Sequence, residues 1–117
     1  MNASPGELLR RYGLRPRKSW GQNFLHDPTI VERIADAVGG PVVFEIGAGL
    51  GALTEALCAR GHLVHAIERD RDLVAVLRRE FSGRPNLVLH EADAVAFSYQ
   101  LDPPPDPPPE IVGNLPY

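Results

Sequence analysis

The ten residues VVFEIGAGLG at positions 42–51 decide the fold, because an apolar run leads there into three glycines at alternate positions. β-Branched and aromatic residues in the run predict a strand that is buried on both faces, and the pattern from Ala52 onward turns helical. Gly47, Gly49 and Gly51 therefore lie in a turn between the carboxyl end of a strand and the N-terminus of a helix. Glycines there allow positive φ angles and close approach of backbone N–H groups to a ligand, so the stretch indicates a nucleotide-binding turn.

The rest of the chain alternates strand and helix signals. Further strands are predicted at residues 63–67, 87–90 and 110–113, and helices at residues 28–38, 52–60 and 71–79. Asp27 is positioned to cap the first of these helices and Asp70 the last. Strand, helix and strand at this spacing favour right-handed crossovers and a parallel sheet. The Pro-rich run at residues 102–109 cannot supply ladder hydrogen bonds, and we interpret it as an extended polyproline II spacer before the last strand.

Length and composition are those of a soluble chain with at most one small domain. At 117 residues the chain is small for a complete doubly wound sheet, so we expect a fragment. Hydrophobic residues make up 44% of it, and no apolar run approaches the ~20 residues of a membrane helix. Because the start has no apolar signal-peptide core and Cys58 is the single cysteine, we expect a cytoplasmic protein without internal disulfides.

Charge is divided unevenly along the chain, whose net charge is −3. Residues 1–26 carry five basic side chains and one acidic side chain, whereas the remainder carries seven basic and fourteen acidic ones. Within the basic segment, Ser4 and Glu7 have the spacing of a capping box, and Gly13 can end the short helix that they begin. Two interpretations stay open: the segment contacts a polyanion, or it is a solvated and frayed N-terminus.

Acidic side chains follow the second and third predicted strands, at the same edge as the glycine turn. Glu68 is placed to accept hydrogen bonds from two ribose hydroxyls, and Asp93 can accept from the exocyclic amine of adenine. Together with the glycines they outline an adenosine-shaped site. A methyl-donor site and an NAD site both stay open, since the glycine spacing also resembles the dinucleotide fingerprint.

The tetrapeptide Asn114-Leu115-Pro116-Tyr117 directly follows the fourth predicted strand. The side-chain oxygen of Asn114 and the carbonyl of Leu115 could grip the N–H groups of an adenine amine, orient its lone pair and stabilise positive charge on the nitrogen. Tyr117 would stack on the base, which must then be unstacked from its neighbours in a loop or as a flipped nucleotide. This pattern favours a methyl-transfer site over an NAD site.

Other polar residues are assigned no separate site. His62 and His65 are expected on opposite sides of a strand, and His26 and His90 lack suitable partners, so we predict no metal. For Glu45, at the end of the first strand, we favour a role in supporting the turn over direct contact with a donor.

Five motifs, in order, resemble those of the ribosomal RNA adenine dimethyltransferases, in particular the branch that modifies two adjacent adenosines of a small-subunit rRNA hairpin. They are the stretches at residues 21–25, 45–51, 68–70, 91–94 and 114–117. The resemblance implies a Rossmann-like class I methyltransferase fold in the α/β class, a parallel sheet with flanking helices, incomplete with about four strands. It implies S-adenosylmethionine as methyl donor, bound by the glycine turn together with Asn23, Leu25, Glu68, Asp93 and Asn114.

The same resemblance implies direct in-line transfer of methyl groups to adenine N6, with residues 114–117 as the catalytic motif, and an rRNA or immature small ribosomal subunit as partner. We expect residues 1–26 to form a basic arm whose stretch from Arg10 to Lys18 grips phosphate, and residues 27–117 to form the first part of a donor-binding domain. A monomer with weak or no turnover is expected. Two alternatives within this fold stay open: the macrolide-resistance branch that methylates large-subunit rRNA, and a non-catalytic nucleic-acid-binding relative.

Overall fold

The computed structural model describes residues 3–17 and 27–113. In this part of the chain the predicted alternation of helices and strands is confirmed. The helices are α1 (Pro5–Arg11), α2 (Pro28–Ala37), α3 (Ala52–Ala59) and α4 (Arg71–Glu80), and the strands are β1 (Val42–Ile46), β2 (Leu63–Glu68), β3 (Leu87–Glu91) and β4 (Glu110–Gly113). The side chains of Ser4, Asp27 and Asp70 cap α1, α2 and α4, as their positions before each helix predict.

All strand pairs in the described sheet are parallel, in the order β3-β2-β1-β4. Ile46 at the end of β1 pairs with Ile67 on one side and with Gly113 on the other. Glu68, the last residue of β2, pairs with Glu91. The carboxyl ends of the strands therefore lie level with one another, and the structure confirms that they form one edge of the sheet, hereafter the carboxyl edge.

One face of the sheet carries the main apolar core. Val43 and Val64 pack there against the three helices that follow α1, through residues such as Ala35, Leu57 and Leu77. Cys58 is buried in this core. Because side chains alternate along a strand, the neighbouring residues point to the opposite face.

The opposite face carries an aromatic cluster in place of a helix. Phe44 of β1 and His65 of β2 contact each other, with ring centroids 5.1 Å apart, and Phe97 and Tyr99 from the segment after β3 pack edge-on against Phe44. His65 Nδ1 lies 3.0 Å from His90 Nε2, and burial lowers the pKa of both imidazoles. The segment after β3 thus covers part of the second face.

The N-terminal helix packs against the rest of the fold. Leu8 is 1% exposed and Leu9 is 6% exposed, and both belong to an apolar cluster with residues of α4. Arg11 pairs with Glu80, and Arg17 pairs with Asp72. A solvated and frayed N-terminus is therefore wrong for the described residues of this segment, because burial of its two leucines holds the helix in place.

The Pro-rich segment differs from the predicted polyproline II conformation. The chain bends near residues 102–103 and 106–107, and the Asp102–Pro103 and Asp106–Pro107 peptide bonds are cis. Because polyproline II is a regular extended helix, these bends show that a continuous extended spacer is wrong here. The run still connects to β4, as predicted. Among the described residues, no helix has the length and apolar character needed to cross a membrane.

Glu45 is a buried carboxyl group in the central strand. It is 2% exposed, and one of its oxygens accepts a hydrogen bond from the hydroxyl of Thr54 in α3, at 2.5 Å. Burial raises the pKa of Glu45 to about 8, with a smaller upward contribution from Glu68 and an opposing one from the Thr54 hydrogen bond. Glu45 is therefore protonated at neutral pH and links β1 to the helix that follows the glycine turn, which supports the predicted structural role.

This burial makes the stability of the fold depend on pH. As the pH rises from about 4.5 to about 8, Glu45 ionises in the unfolded chain but keeps its proton in the folded one, so its contribution to stability is lost across that window. In the wild type we expect Glu45 to lower the free energy of unfolding by on the order of a few kcal/mol between pH 5 and pH 8. We expect this decline to be absent in Glu45→Gln, which keeps an oxygen for Thr54. Urea denaturation at pH 5 and pH 8 measures it.

The exposed carboxyl of Asp106 provides the control, and we expect Asp106→Asn to keep the wild-type dependence on pH. An equal loss of stability between the two pH values in wild type and Glu45→Gln would contradict the assignment.

Candidate functional site

The glycine turn after β1 adopts the conformation that its three glycines allow. Gly47, Gly49 and Gly51 have φ angles of 69°, 60° and 92°, all in the left-handed region that disfavours other residues. The N–H of Gly47 donates to the carbonyl of Ile67 at 2.8 Å, which fastens the start of the turn to the end of β2. A Cβ placed at Gly47 would have no atom within 4 Å, so the space beside it is open to a ligand.

The end of the turn is closed by packing. A Cβ at Gly51 would lie 2.5 Å from Cε2 of the Phe81 ring, and Gly51 is itself the N-cap of α3. Glycine is therefore required at position 51 for two reasons: the φ angle is positive, and Phe81 leaves no space for a Cβ. The space beside the turn is thus open at Gly47 and filled by Phe81 at Gly51.

Glu68 joins the end of β2 to the glycine turn, where the sequence predicts the ribose-binding acid. It is 8% exposed; Oε1 accepts a hydrogen bond from the N–H of Gly49 at 2.9 Å, and Oε2 accepts one from the N–H of Asp70 at 3.0 Å. Two hydrogen bonds fix the plane of the carboxylate. Because a carboxylate has about four acceptor positions, both oxygens retain capacity for a further donor such as a hydroxyl.

Asp93 lies in the loop after β3, next to Ala92, whose backbone is hydrogen-bonded to the end of β2. The N–H of Ala92 donates to the carbonyl of Glu68 at 3.1 Å, so the loop starts directly beside Glu68. Asp93 itself is exposed, and its Oδ1 accepts a hydrogen bond from the N–H of Val95 at 2.9 Å. The structure thus brings both predicted acids and the glycine turn together at the carboxyl edge.

The fourth strand reaches the same edge beside the turn. A Cβ at Gly113 would lie 2.8 Å from the carbonyl oxygen of Ile46, so β4 passes very close to the end of β1. The remaining predicted site residues fall outside the described residues, and their roles stay predictions. They are Asn23, Leu25, Asn114, Leu115, Pro116 and Tyr117.

Three residues that shape the turn were not assigned from the sequence. Thr54 donates a hydrogen bond to Glu45, Phe81 fills the space behind Gly51, and Leu50 belongs to an apolar cluster with residues of α1 and α4. Thr54 had a usable signal, since a polar residue one turn into an apolar helix needs a partner when buried. Phe81 and Leu50 had none, because their partners are distant in sequence.

The histidines do not converge on a metal site in the described part of the chain. His62 Nδ1 lies 2.7 Å from the carbonyl oxygen of Gly40, whereas His65 faces His90. Within residues 3–17 and 27–113, no group of three or more His, Cys, Asp or Glu side chains could hold a metal ion.

Comparison with solved structures identifies the class of protein to which this fold belongs. The 23S rRNA methyltransferase ErmE matches with a TM-score of 0.69 at 37% identity, over 81% of this chain and 38% of that one. A dimethyladenosine transferase from Plasmodium falciparum matches with a TM-score of 0.63 at 25% identity, over 81% of this chain and 34% of that one. The predicted fold class is confirmed: this is a Rossmann-like class I methyltransferase fold.

Sequence similarity then gives the family. The profile of the ribosomal RNA adenine dimethylase family matches residues 13–117, and the chain belongs to this family. The ribosomal RNA small subunit methyltransferase A of Marinobacter nauticus is 46% identical to it over 114 residues, 94% of this chain and 41% of that protein. The chain therefore spans about two fifths of the length of this relative.

The two constraints on Gly51 can be separated by substitution. Gly51→Ala should lose about 1–2 kcal/mol from its φ angle and roughly 1–3 kcal/mol more from overlap with Phe81. Gly61 is the control, because it has a φ angle of 86° but no atom within 4 Å of a Cβ, so Gly61→Ala should show the first loss alone. Urea unfolding of both variants measures the difference, and equal losses would show that Phe81 does not constrain the turn.

Proposed function

We propose that this chain forms the donor-binding part of an S-adenosylmethionine-dependent enzyme that dimethylates adenine N6 on two adjacent adenosines of a small-subunit rRNA hairpin. One observation carries the proposal: the Glu68 carboxylate is hydrogen-bonded to Gly49 in the glycine turn, so the ribose-binding acid and the turn share one crevice. Membership of the ribosomal RNA adenine dimethylase family supports the same reaction. We place the protein in the cytoplasm, as a monomer that acts on immature small ribosomal subunits during their maturation.

In this proposal each residue of the carboxyl edge contacts a different part of the donor. Glu68 accepts hydrogen bonds from the ribose hydroxyls with the acceptor capacity that its two backbone bonds leave. Asp93, exposed in the neighbouring loop, accepts from the adenine amine. The open side of Gly47 admits the rest of the donor, and Gly49 and Gly51 hold the turn in shape. Asn23 and Leu25 complete the pocket.

The catalytic part of the proposal rests on the tetrapeptide after β4. S-adenosylmethionine supplies an electrophilic methyl group on a sulfonium centre. Asn114 and Leu115 accept hydrogen bonds from the target amine, point its lone pair at that methyl group and stabilise the charge that develops on nitrogen. Pro116 restricts the backbone between Leu115 and Tyr117. Tyr117 stacks on the target base, a contact worth about 1–3 kcal/mol. The pairing of Gly113 with Ile46 supports this proposal, because β4 ends at the carboxyl edge and the motif follows β4 directly in the sequence.

Residues 1–26 form a basic arm and residues 27–117 a donor-binding domain in this proposal. The four described arginines of this arm, Arg10, Arg11, Arg15 and Arg17, are all exposed, but Arg11 and Arg17 are also paired with acids of α4. We therefore assign phosphate contact to Arg10, Arg15 and Lys18 ahead of the two paired arginines.

Calorimetric titration with S-adenosylmethionine and with NAD tests the donor site. We expect binding of the methyl donor and no binding of NAD, and a roughly tenfold to hundredfold weaker affinity in Glu68→Ala because charge-assisted hydrogen bonds to the ribose are lost. Glu91→Ala is the matched control, since Glu91 pairs with Glu68 in the sheet register but is not assigned to the donor.

Binding of NAD without binding of the methyl donor would replace the proposal with a dinucleotide site. An unchanged affinity in Glu68→Ala would remove that residue from the ribose role.

Labelled methyl transfer tests the substrate, in a full-length protein that includes this chain. We expect label on immature small subunits, none on large subunits, and none in Asn114→Ala. Label on large subunits alone would favour the second branch, to which the likeness to ErmE at 37% identity points. No transfer to either subunit would favour a non-catalytic nucleic-acid-binding protein.

A further inference from the structure

Leu50 is the one large side chain inside the glycine turn, and it is fastened by the N-terminal helix. It lies between Gly49 and Gly51 and is 5% exposed. Its apolar cluster contains Leu8 and Leu9 of α1 together with Leu73 and Val76 of α4. The turn therefore shares an apolar cluster with α1 through Leu50, whereas the space beside Gly47 is open.

Polar contacts hold α1 in this position. Both carboxylate oxygens of Glu80 accept hydrogen bonds from the Arg11 guanidinium, at 3.1 and 3.0 Å, and Glu80 also accepts one from the Tyr12 hydroxyl. The hydrogen bond from Tyr12 lowers the pKa of Glu80, which keeps this carboxylate charged. A further ion pair joins Arg17 to Asp72 in the first turn of α4.

A helix this short depends on its docking. With 7 residues, α1 is well below the length at which an isolated helix is stable in water, so it holds its shape through Leu8, Leu9 and the bonds to Glu80. An element held by so few contacts can open locally without unfolding the main core. When α1 opens, the apolar cluster that contains Leu50 loses two of its five buried members, Leu8 and Leu9.

We propose that α1 is a positioning element of the donor site, which acts through the packing of Leu8 and Leu9 on Leu50. With α1 docked, the backbone N–H groups of the turn are held in the geometry that Glu68 and the donor require. This inference rests on the proposed function, since it assigns to the N-terminal segment a role in donor affinity. That role is separate from any contact of its arginines with phosphate.

Substitution of Leu8, which is 1% exposed, tests the inference. In Leu8→Ala we expect backbone amides of residues 47–53 to exchange with deuterium at least about tenfold faster, and affinity for S-adenosylmethionine to fall about tenfold. Leu8→Met should restore both, because methionine refills the same space. Tyr12→Phe, which removes a single hydroxyl, should also speed exchange of residues 47–53 and weaken donor affinity, each by a smaller factor than Leu8→Ala. This variant provides the test if Leu8→Ala does not fold.

Val42→Ala is the matched control. Val42 is 9% exposed at the first residue of β1, at the opposite end of that strand from the turn, and it belongs to neither of the two apolar clusters. Its truncation should lower overall stability while exchange of residues 47–53 and donor affinity stay at wild-type values. Wild-type exchange and affinity in both Leu8→Ala and Tyr12→Phe would overturn the inference. Equal changes in Val42→Ala and Leu8→Ala would also overturn it.

The exchange measurement needs no donor, so it separates the two proposals. If the wild-type protein did not bind S-adenosylmethionine, the proposed function would fail. Faster exchange of residues 47–53 in Leu8→Ala, with no such change in Val42→Ala, would still support the positioning role of α1.

Discussion

The hydrogen bond from the backbone of Gly49 to the carboxylate of Glu68 is the contact on which the site depends. It joins the turn after the first strand to the end of the second, at a sheet edge where parallel register has already aligned the strand ends. Glycine is needed for this contact, because Gly49 has a φ angle of 60°. The fold supplies the remaining constraint: β1 lies between β2 and β4, so groups from three strands meet at one edge of the sheet.

Two carboxyl groups near the turn have different tasks because their surroundings differ. Glu45 lies below the turn among apolar side chains, is protonated at neutral pH and bonds a hydroxyl of the following helix. Glu68 lies at the edge, where two backbone N–H groups bond its oxygens and hold its plane. The first therefore supports the backbone of the site, and the second offers acceptors to a ligand.

Local signals predicted most of the elements. Ser4, Asp27 and Asp70 were each identified as helix caps from position and residue type, and each makes the expected side-chain bond. The parallel sheet followed from the spacing of strand and helix, and its carboxyl edge then fixed where Glu68 and Asp93 had to lie.

Contacts between distant residues could not be predicted in the same way. The docking of α1 on α4 depends on Leu8, Leu9 and Glu80, which no local pattern connects. The charge count suggested a free basic arm, yet Arg11 and Arg17 are paired with acids. The bends in the Pro-rich run could not be predicted either, because a high proline content is compatible with both an extended and a bent path. The roles of Asn23, Leu25 and residues 114–117 remain predictions, since these residues lie outside those that the structure describes.

Nuclear magnetic resonance of the backbone amides tests most directly whether the turn and the two acids converge on one nucleoside. The amides of Gly49 and Asp70 are bonded to Glu68, and that of Val95 is bonded to Asp93. Titration with S-adenosylhomocysteine should shift all three signals with a single dissociation constant. Shifts that fit different constants, or a shift at Gly49 with none at Val95, would contradict a shared site.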